Sequence, residues 1–340
     1  MPEPAGARCA GTHGLDSGRE SAFCERVTTT VRSSGNLLAD RRFAWAEAAF
    51  ADGDPAAAAD LAAQVLELAA DYAPAWLLLG RAKLGLGEET AAQQAFIEAL
   101  RADPADELGA ALHLARLEGP HGEGATAAMS PDYVRGLFDG YAARFDTHLT
   151  DALAYRGPQL IMAALARAGG LPRFSRVVDL GCGTGLMGAA IRPYADELVG
   201  CDLSPGMVRQ AQAKTIYDRL HVADLVAHMQ QLARQSCDLL LAADVLVYIG
   251  DLAPLFDAAA RAQPTGGLFA FTVQRPLDGA DTGAPGEAVL GADLRYAHGE
   301  PYLRRRLVEA GFEVCLVDEA STRLDRGEPV PGLVVVARRR

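Results

Sequence analysis

From Leu38 to Glu118 the apolar positions recur at helical spacing in a background of Ala, Leu, Glu and Gln, which predicts packed helices. The stretches VLELAADYAPAWLLLG (Val65–Gly80) and FIEALRADPADELGAALHLA (Phe96–Ala115) align with each other at a period of about 34 residues, the length of a helical-hairpin repeat. One degenerate unit is expected over 39–72, a clearer one over 73–106, and a capping helix from Asp106 to Leu117. Gly80 permits a close approach of two helices, Trp76 and Phe96 fill the seam, and Pro104 stops the second helix. The segment GPHGEGATAAMSP (Gly119–Pro131) then breaks the pattern and reads as a linker.

Beyond it, short apolar runs alternate with helical stretches. RVVDL (Arg176–Leu180), ELVGCDL (Glu197–Leu203), CDLLLAADVL (Cys237–Leu246) and GLFAFTV (Gly267–Val273) read as buried strands, with a weaker one at Leu220–Ala223. Strands separated by helices predict a parallel sheet covered on both faces. FEVCLVDE (Phe312–Glu319) and GLVVVARR (Gly332–Arg339) have only a loop between them, which suits an antiparallel pair.

Composition narrows the picture. Half of the 340 residues are hydrophobic and 22% are charged, ordinary for a globular chain of more than one core. The net charge of -12 disfavours nucleic acid and anionic membranes as partners. No apolar stretch reaches the length of a membrane span, and the first residues lack the layout of a secretory signal. The cysteines at 9, 24, 182, 201, 237 and 315 show no CxxC or CxH spacing, so no metal site is expected and a reducing cytoplasm is. Residues 1–36 are rich in Gly, Ser, Thr and Arg without a period, and are expected to be disordered or to follow an overcalled start.

The sharpest chemical signal is VVDLGCGTG (Val177–Gly185), a glycine loop that follows a strand and opens a helix. Gly181, Gly183 and Gly185 clear the turn so that a ligand can approach the backbone at a helix N-terminus. GTGLMG (Gly183–Gly188) also satisfies the dinucleotide pattern, but Asp179 at the strand end suits a cationic amino-acid tail and repels a pyrophosphate. Asp202 ends the next strand, where a carboxylate accepts ribose hydroxyls of either ligand.

The helical region, with Trp76, Leu79, Gly80, Ala92, Phe96, Ala99 and Pro104 in register, resembles tetratricopeptide repeats. VVDLGCGTG, VGCDLSPGM, VADL and DLLLAADVLVYIGDL, in that order, resemble the motifs of class I S-adenosylmethionine-dependent methyltransferases across residues 130–340. More narrowly, YVRGLFDGYAARFDTHL (Tyr133–Leu149), ADVLVYIGDL and RYAHGEPYLRRRL are similar to bacterial methyltransferases carrying such repeats. The resemblance implies an α/β fold: a Rossmann-like seven-stranded sheet with its last strand inserted antiparallel, behind a small all-α repeat domain. The implied layout is a repeat domain over 37–118, a linker over 119–131 and a methyltransferase domain over 132–340.

The resemblance further implies that Asp179, Gly181, Cys182 and Gly183 hold the methionine part of S-adenosylmethionine and that Gly185 supports helix packing. Asp202 and Leu203 would take the ribose and adenine, Met207 the adenine face, Asp224 and Leu225 the adenine edge, and Asp244 the substrate side. Tyr141 and Phe145 would lie in a helix that closes over the cofactor. Methyl transfer needs a base only for a poorly ionised acceptor. His148, Tyr248, Tyr296 and His298 are candidates for one, each with a structural reading beside it. Arg295 could pair an anionic substrate, although a surface arginine is the simpler reading.

The favoured function is methylation of a small molecule, with a protein partner for the repeats left open. Alternatives are protein methylation with targets recruited by the repeats, a cofactor-binding scaffold without transfer, and a nicotinamide oxidoreductase. The (N/D)PP(Y/F) signature of amide and adenine methylation is absent; the fourth strand instead continues AADVLVYIGD.

Overall fold

The computed structural model describes residues 33–119, 125–146, 154–276, 288–325 and 327–340. The expected disorder of residues 1–36 therefore falls almost wholly outside the described residues, as does His148. Residues 33–36 lead into the first helix, and Asn36 caps it, its side chain accepting from the Leu38 and Ala39 amides.

Helices α1 (Leu37–Ala51), α2 (Pro55–Leu68), α3 (Ala73–Gly85) and α4 (Glu89–Ala102) form two hairpins, followed by α5 (Ala110–Glu118). Asp54 caps α2 at the Ala57 amide, with Pro55 beside it where a missing N–H costs nothing. Phe96 is fully buried and stacks on His113 of α5, ring centroids 4.8 Å apart. A Cβ on Gly80 would stand 2.6 Å from the Phe96 Cδ1, so this seam closes only without a side chain there. Gly80→Ala is expected to destabilise the helical domain by about 1–3 kcal/mol, the cost of overpacking a filled core. Thermal unfolding followed by circular dichroism checks this; an unchanged transition would show that the Phe96 ring yields.

The capping helix starts at Ala110, four residues later than expected. Asp106 adopts a left-handed φ of 51°, and its carboxylate accepts from the Ala110 and Ala111 amides, so it ends a turn and does not begin a helix. The second half of the linker is not a plain spacer. Ala125 and Ala128 pack with Leu112 and Ala115 of α5 and with Leu290, Leu294 and Tyr296 from the sheet domain.

Helix α6 (Pro131–Tyr141), capped by Ser130, and α7 (Gly157–Gly169) lead into the sheet. Its elements are β1 (Phe174–Leu180), α8 (Leu186–Ile191), β2 (Ala195–Asp202), α9 (Pro205–Ala213), β3 (Arg219–Val222), α10 (Leu225–Gln231), β4 (Leu239–Ala242), α11 (Ala253–Ala262) and β5 (Leu268–Gln274). A hairpin of β6 (Ala288–Leu290) and β7 (Tyr296–His298) follows, then α12 (Glu300–Glu309), β8 (Phe312–Glu319), the small pair β9 (Leu324–Asp325) and β10 (Glu328–Pro329), and β11 (Gly332–Arg339).

The main path runs β3-β2-β1-β4-β5-β11-β8, parallel except for β11, which pairs antiparallel with both neighbours. The seven expected strands are all present; the β6–β7 hairpin adds to them, with β7 joined to the end of β5. Side chains alternate between two cores. Val178, Leu240, Phe269 and Val335 face α10–α12, while Val177, Leu239, Leu241 and Val334 face α7 and α8. Burial on both faces explains why these strands read as continuous apolar runs.

The run CDLLLAADVL is not one long strand. Pairing ends at Ala242, and Asp244 turns the chain out of the sheet at φ 56°. Strand order reverses between β1 and β4, so a crevice opens at their C-terminal ends, the place where open sheets of this kind hold ligands. No helix among the described residues is long and apolar enough to cross a membrane.

Candidate functional site

The loop after β1 and the turn after β4 meet at that crevice. Gly181 (φ 63°) has no room for a side chain: a Cβ would lie 2.7 Å from the Val245 Cβ. Gly183 (φ 53°) is also left-handed, but its face is open, with Phe145 near 3.9 Å. The two glycines thus do different work. One lets the loop close on the fourth strand, and the other bares backbone to a cavity.

That cavity measures about 310 Å³. Gly181, Cys182, Gly183, Asp202, Leu203, Met207, Asp224, Leu225 and Asp244 all line it, as do Tyr248 and Tyr296. Asp202 is the organising acid. Its Oδ2 accepts from the Gly183 amide and its Oδ1 from the Ser204 amide, both at 2.9 Å. Burial raises its pKa, and the two amides oppose that rise. Each carboxylate oxygen keeps a second lone pair, so the group can still accept from a ligand. Asp224 spends one oxygen capping α10 at the Ala227 amide. Burial pushes the Cys182 thiol well up, so this cysteine lines the wall as a neutral group.

Four expected residues stand elsewhere. Asp179 is fully buried and does not line the cavity; its Oδ2 accepts from the Tyr217 hydroxyl at 2.6 Å, beneath the glycine loop. Burial lifts its carboxyl to about 7, against the lowering effect of that hydrogen bond. Tyr217 occupies the space that Gly185, Gly188 and Gly200 leave; a Cβ on Gly200 would stand 2.8 Å from its Cε1. Gly185 accordingly supports packing without lining the cavity. Tyr141 packs edge-on to Phe145 behind the wall, and Phe138 and Phe145 from its neighbourhood line the cavity in its place.

His298 is also outside the cavity. It is buried, its Nε2 donates to the Gly250 carbonyl at 3.1 Å, and burial lowers its pKa to about 4. It holds the loop after β4 as a neutral ring and is no base for an acceptor. Tyr296 lines the cavity, but its hydroxyl donates to the Ala125 carbonyl at 2.8 Å, tying down the linker.

Several residues of the site were missed or misplaced by the sequence reading. Arg323, in the loop before β9, donates to both oxygens of Asp244 at 2.7 and 2.9 Å, and Thr322 adds a third bond. Asp139 in α6 accepts from the Ser204 hydroxyl and the Gly206 amide, at 2.5 and 2.8 Å. Asp146 accepts from the Thr184 hydroxyl and from Lys214. Two carboxylates therefore clamp the α6 region onto the glycine loop and the start of α9. Their sequence signal was the dense aspartate spacing of LFDGYAARFD, which aromatic spacing overshadowed. Arg295 is not a surface residue: it is 3% exposed, lines the cavity, and its guanidinium lies 5.9 Å from the Tyr248 ring centre.

Comparison with known proteins agrees with this architecture. Residues 178–271 match the family model described as a methyltransferase domain, and residues 49–117 match a tetratricopeptide-repeat model. Methyltransferase-like protein 27 of Homo sapiens is 39% identical over 99 residues, 28% of this chain and 40% of that protein. Ubiquinone biosynthesis O-methyltransferase of Xylella fastidiosa is 27% identical over 107 residues, 30% of this chain and 44% of the other. The matches thus span less than half the length of either curated relative. Among solved structures, the N-methyltransferase NodS from Bradyrhizobium japonicum WM9, in complex with S-adenosyl-L-homocysteine, aligns with a TM-score of 0.46 at 18% identity, over 60% of this chain and 97% of that one. The putative methyltransferase complexed with the Trm112 activator of Haloferax volcanii aligns at 0.46 and 21% identity, over 59% and 96%. The glycine loop, the strand order and the two family matches agree: residues 178–271 form a methyltransferase domain with the class I sheet order, preceded by tetratricopeptide repeats over residues 49–117.

Proposed function

We propose that this chain methylates a small molecule bound in the cavity at the C-terminal ends of β1 and β4. The observation that carries this reading is the cavity's mixed lining: the glycine loop, Asp202 and Asp224 share it with the apolar and aromatic side chains of Phe138, Tyr155, Tyr248 and Met129.

The glycine loop and the two acids fit S-adenosylmethionine by their chemistry. The bared backbone at Gly183 gives the amino-acid tail a polar edge, and the spare lone pairs of Asp202 suit two vicinal hydroxyls. Met207 and Leu203 offer apolar faces to a base, and the oxygen of Asp224 not used in its cap can accept from an exocyclic amine. When bound, the cofactor would supply a methyl group already activated on a sulfonium, so the acceptor would need little further activation from the protein. The chain's residues then have to position and to exclude water. Phe138, Phe145 and Tyr248 form an edge-to-face cluster that does both. Asp139 and Asp146 hold the segment bearing Phe138 and Phe145 to the loop.

A base is not required by this arrangement. Of the candidates, Tyr248 and Tyr296 both line the cavity, but the Tyr296 hydroxyl is bound to the linker, and His298 lies outside. A reducing compartment, the cytoplasm, suits the free thiols Cys182, Cys201, Cys237 and Cys315. The repeats dock on the catalytic domain through Leu112 and Ala115 of α5.

The test is methyl transfer from tritium-labelled cofactor, using purified full-length protein with a fractionated extract. Label in the low-molecular-weight fraction is expected. Label confined to one polypeptide would replace the small-molecule reading with target recruitment.

A further inference from the structure

Part of the cavity wall comes from outside the sheet. Thr126, Met129 and Pro131 line the cavity, and they belong to the stretch between the repeats and the body of α6. Three anchors seat this stretch. The Thr126 backbone lies against Gly250, where a Cβ would stand 2.6 Å from the Thr126 Cα. The Tyr296 hydroxyl donates to the Ala125 carbonyl, and the Ser130 hydroxyl donates to the Asp106 carbonyl, both at 2.8 Å. The first two anchors belong to the catalytic domain and the third to the turn before α5. Leu112 and Ala115 of α5 also pack with Ala125 and Ala128. Gly250 is itself held in place by His298, whose Nε2 donates to its carbonyl at 3.1 Å.

None of these anchors is a residue given to the cofactor, for which Gly183, Leu203, Asp202, Met207 and Asp224 are proposed above. A change in this wall therefore acts on what shares the cavity with the cofactor. Met129 is its long apolar side chain, partly buried against the cluster that holds Leu290, Leu294 and Tyr296. An unbranched thioether fills an irregular gap, so its length sets how much room is left beside it. In an apolar pocket a single methylene more or less changes discrimination by about tenfold or more.

We propose that residues 126–131 form a wall that selects the methyl acceptor by size, with Met129 as the specificity-determining side chain and the repeats as the support that holds the wall in place. This assignment rests on the methyl-transfer reading above. It gives the repeats a part in acceptor choice that needs no bound partner, because Asp106 and α5 touch the wall directly.

The experiment is titration of the full chain with naphthol and with the larger hydroxypyrene, with and without S-adenosylhomocysteine; the aromatic lining suits both probes. The ratio of the two affinities is expected to shift toward hydroxypyrene by about tenfold in Met129→Ala, to shift toward naphthol in Met129→Trp, and to stay within about twofold of wild type in Met129→Leu. Leu112→Ala, which loosens α5 from the wall, should shift the ratio in the same direction as Met129→Ala and speed amide hydrogen exchange in residues 125–130. S-adenosylhomocysteine affinity should be the same in every protein, and circular dichroism reports that the variants fold. Ratios within about twofold of wild type in both Met129→Ala and Met129→Trp, or binding of neither probe to any protein, overturn the size-selecting wall. Unchanged exchange and an unchanged ratio in Leu112→Ala overturn its support by the repeats. Failure of S-adenosylhomocysteine to bind overturns the methyl-transfer reading instead, and the titrations without it still judge Met129.

Discussion

Asp202→Ala is expected to lower affinity for S-adenosylmethionine by a factor of about 100 or more, roughly 3 kcal/mol. Two losses combine. The carboxylate now fixes the Gly183 and Ser204 amides, so its removal leaves the glycine loop without the bond that sets its curvature. Under the proposed binding mode it also accepts from the ribose hydroxyls, and hydrogen bonds to a charged group contribute about 1.5–3 kcal/mol each. Asp202→Asn keeps one acceptor oxygen and is expected to fall between wild type and alanine. The stability loss from alanine alone is about 1–3 kcal/mol, the cost of an unpaired buried donor. Titration with S-adenosylhomocysteine, with circular dichroism as the fold control, measures both. A folded alanine variant within threefold of wild-type affinity would remove Asp202 from the ribose role.

What was legible in the sequence was what short-range pattern encodes. Gly181 and Gly183 announce a bared turn because no other residue is at ease there, and Asp202 stands out as an acid ending an apolar strand. The two cores of the sheet were legible for the same reason, since Val177 and Val178 are adjacent in sequence and buried on opposite faces. Direction was not legible. Asp179 has the right type and place for a ligand contact, yet Tyr217 draws its carboxylate under the loop. Of the glycines that admit Tyr217, Gly185 and Gly188 read as parts of the ligand loop and its helix, and neither they nor Gly200 points to a tyrosine far along the chain. Arg323 and Arg295 come from loops beyond the last cofactor motif, and their burial depends on Asp244 and Tyr248 reaching them across the fold. Partner choice over such separations leaves no local period to read. The late start of α5 is a smaller case of the same kind: Asp106 looked like a helix residue until its own carboxylate took the Ala110 amide.

The burial of Asp179 sets the second large effect. In an unfolded chain its carboxyl titrates near 3.9; in the folded protein it does so at about 7. Between those values the folded protein holds a proton that the unfolded chain has released. Stability from this group is therefore complete below about pH 4 and declines as pH rises through about 7, by up to ~1.4 kcal/mol per unit. Above pH 7 the accumulated penalty is on the order of 3–4 kcal/mol. Asp179→Asn keeps an oxygen to accept from Tyr217 and cannot ionise. The ligand-free variant is expected to match wild type near pH 4 and to exceed it at pH 8 by about 2–4 kcal/mol. The difference between the two denaturation curves isolates this group from other titrating residues, Asp106 among them. A cationic cofactor above the loop favours the ionised aspartate, so its binding to wild type near pH 7 should release protons, and binding to Asp179→Asn should release fewer. Calorimetry in buffers of different ionisation heat reads that difference. Parallel stability curves for the two proteins from pH 4 to 8 would mean that Asp179 is ionised in the fold, and that Tyr217 with the amides around it fully offsets the cost of burying the charge.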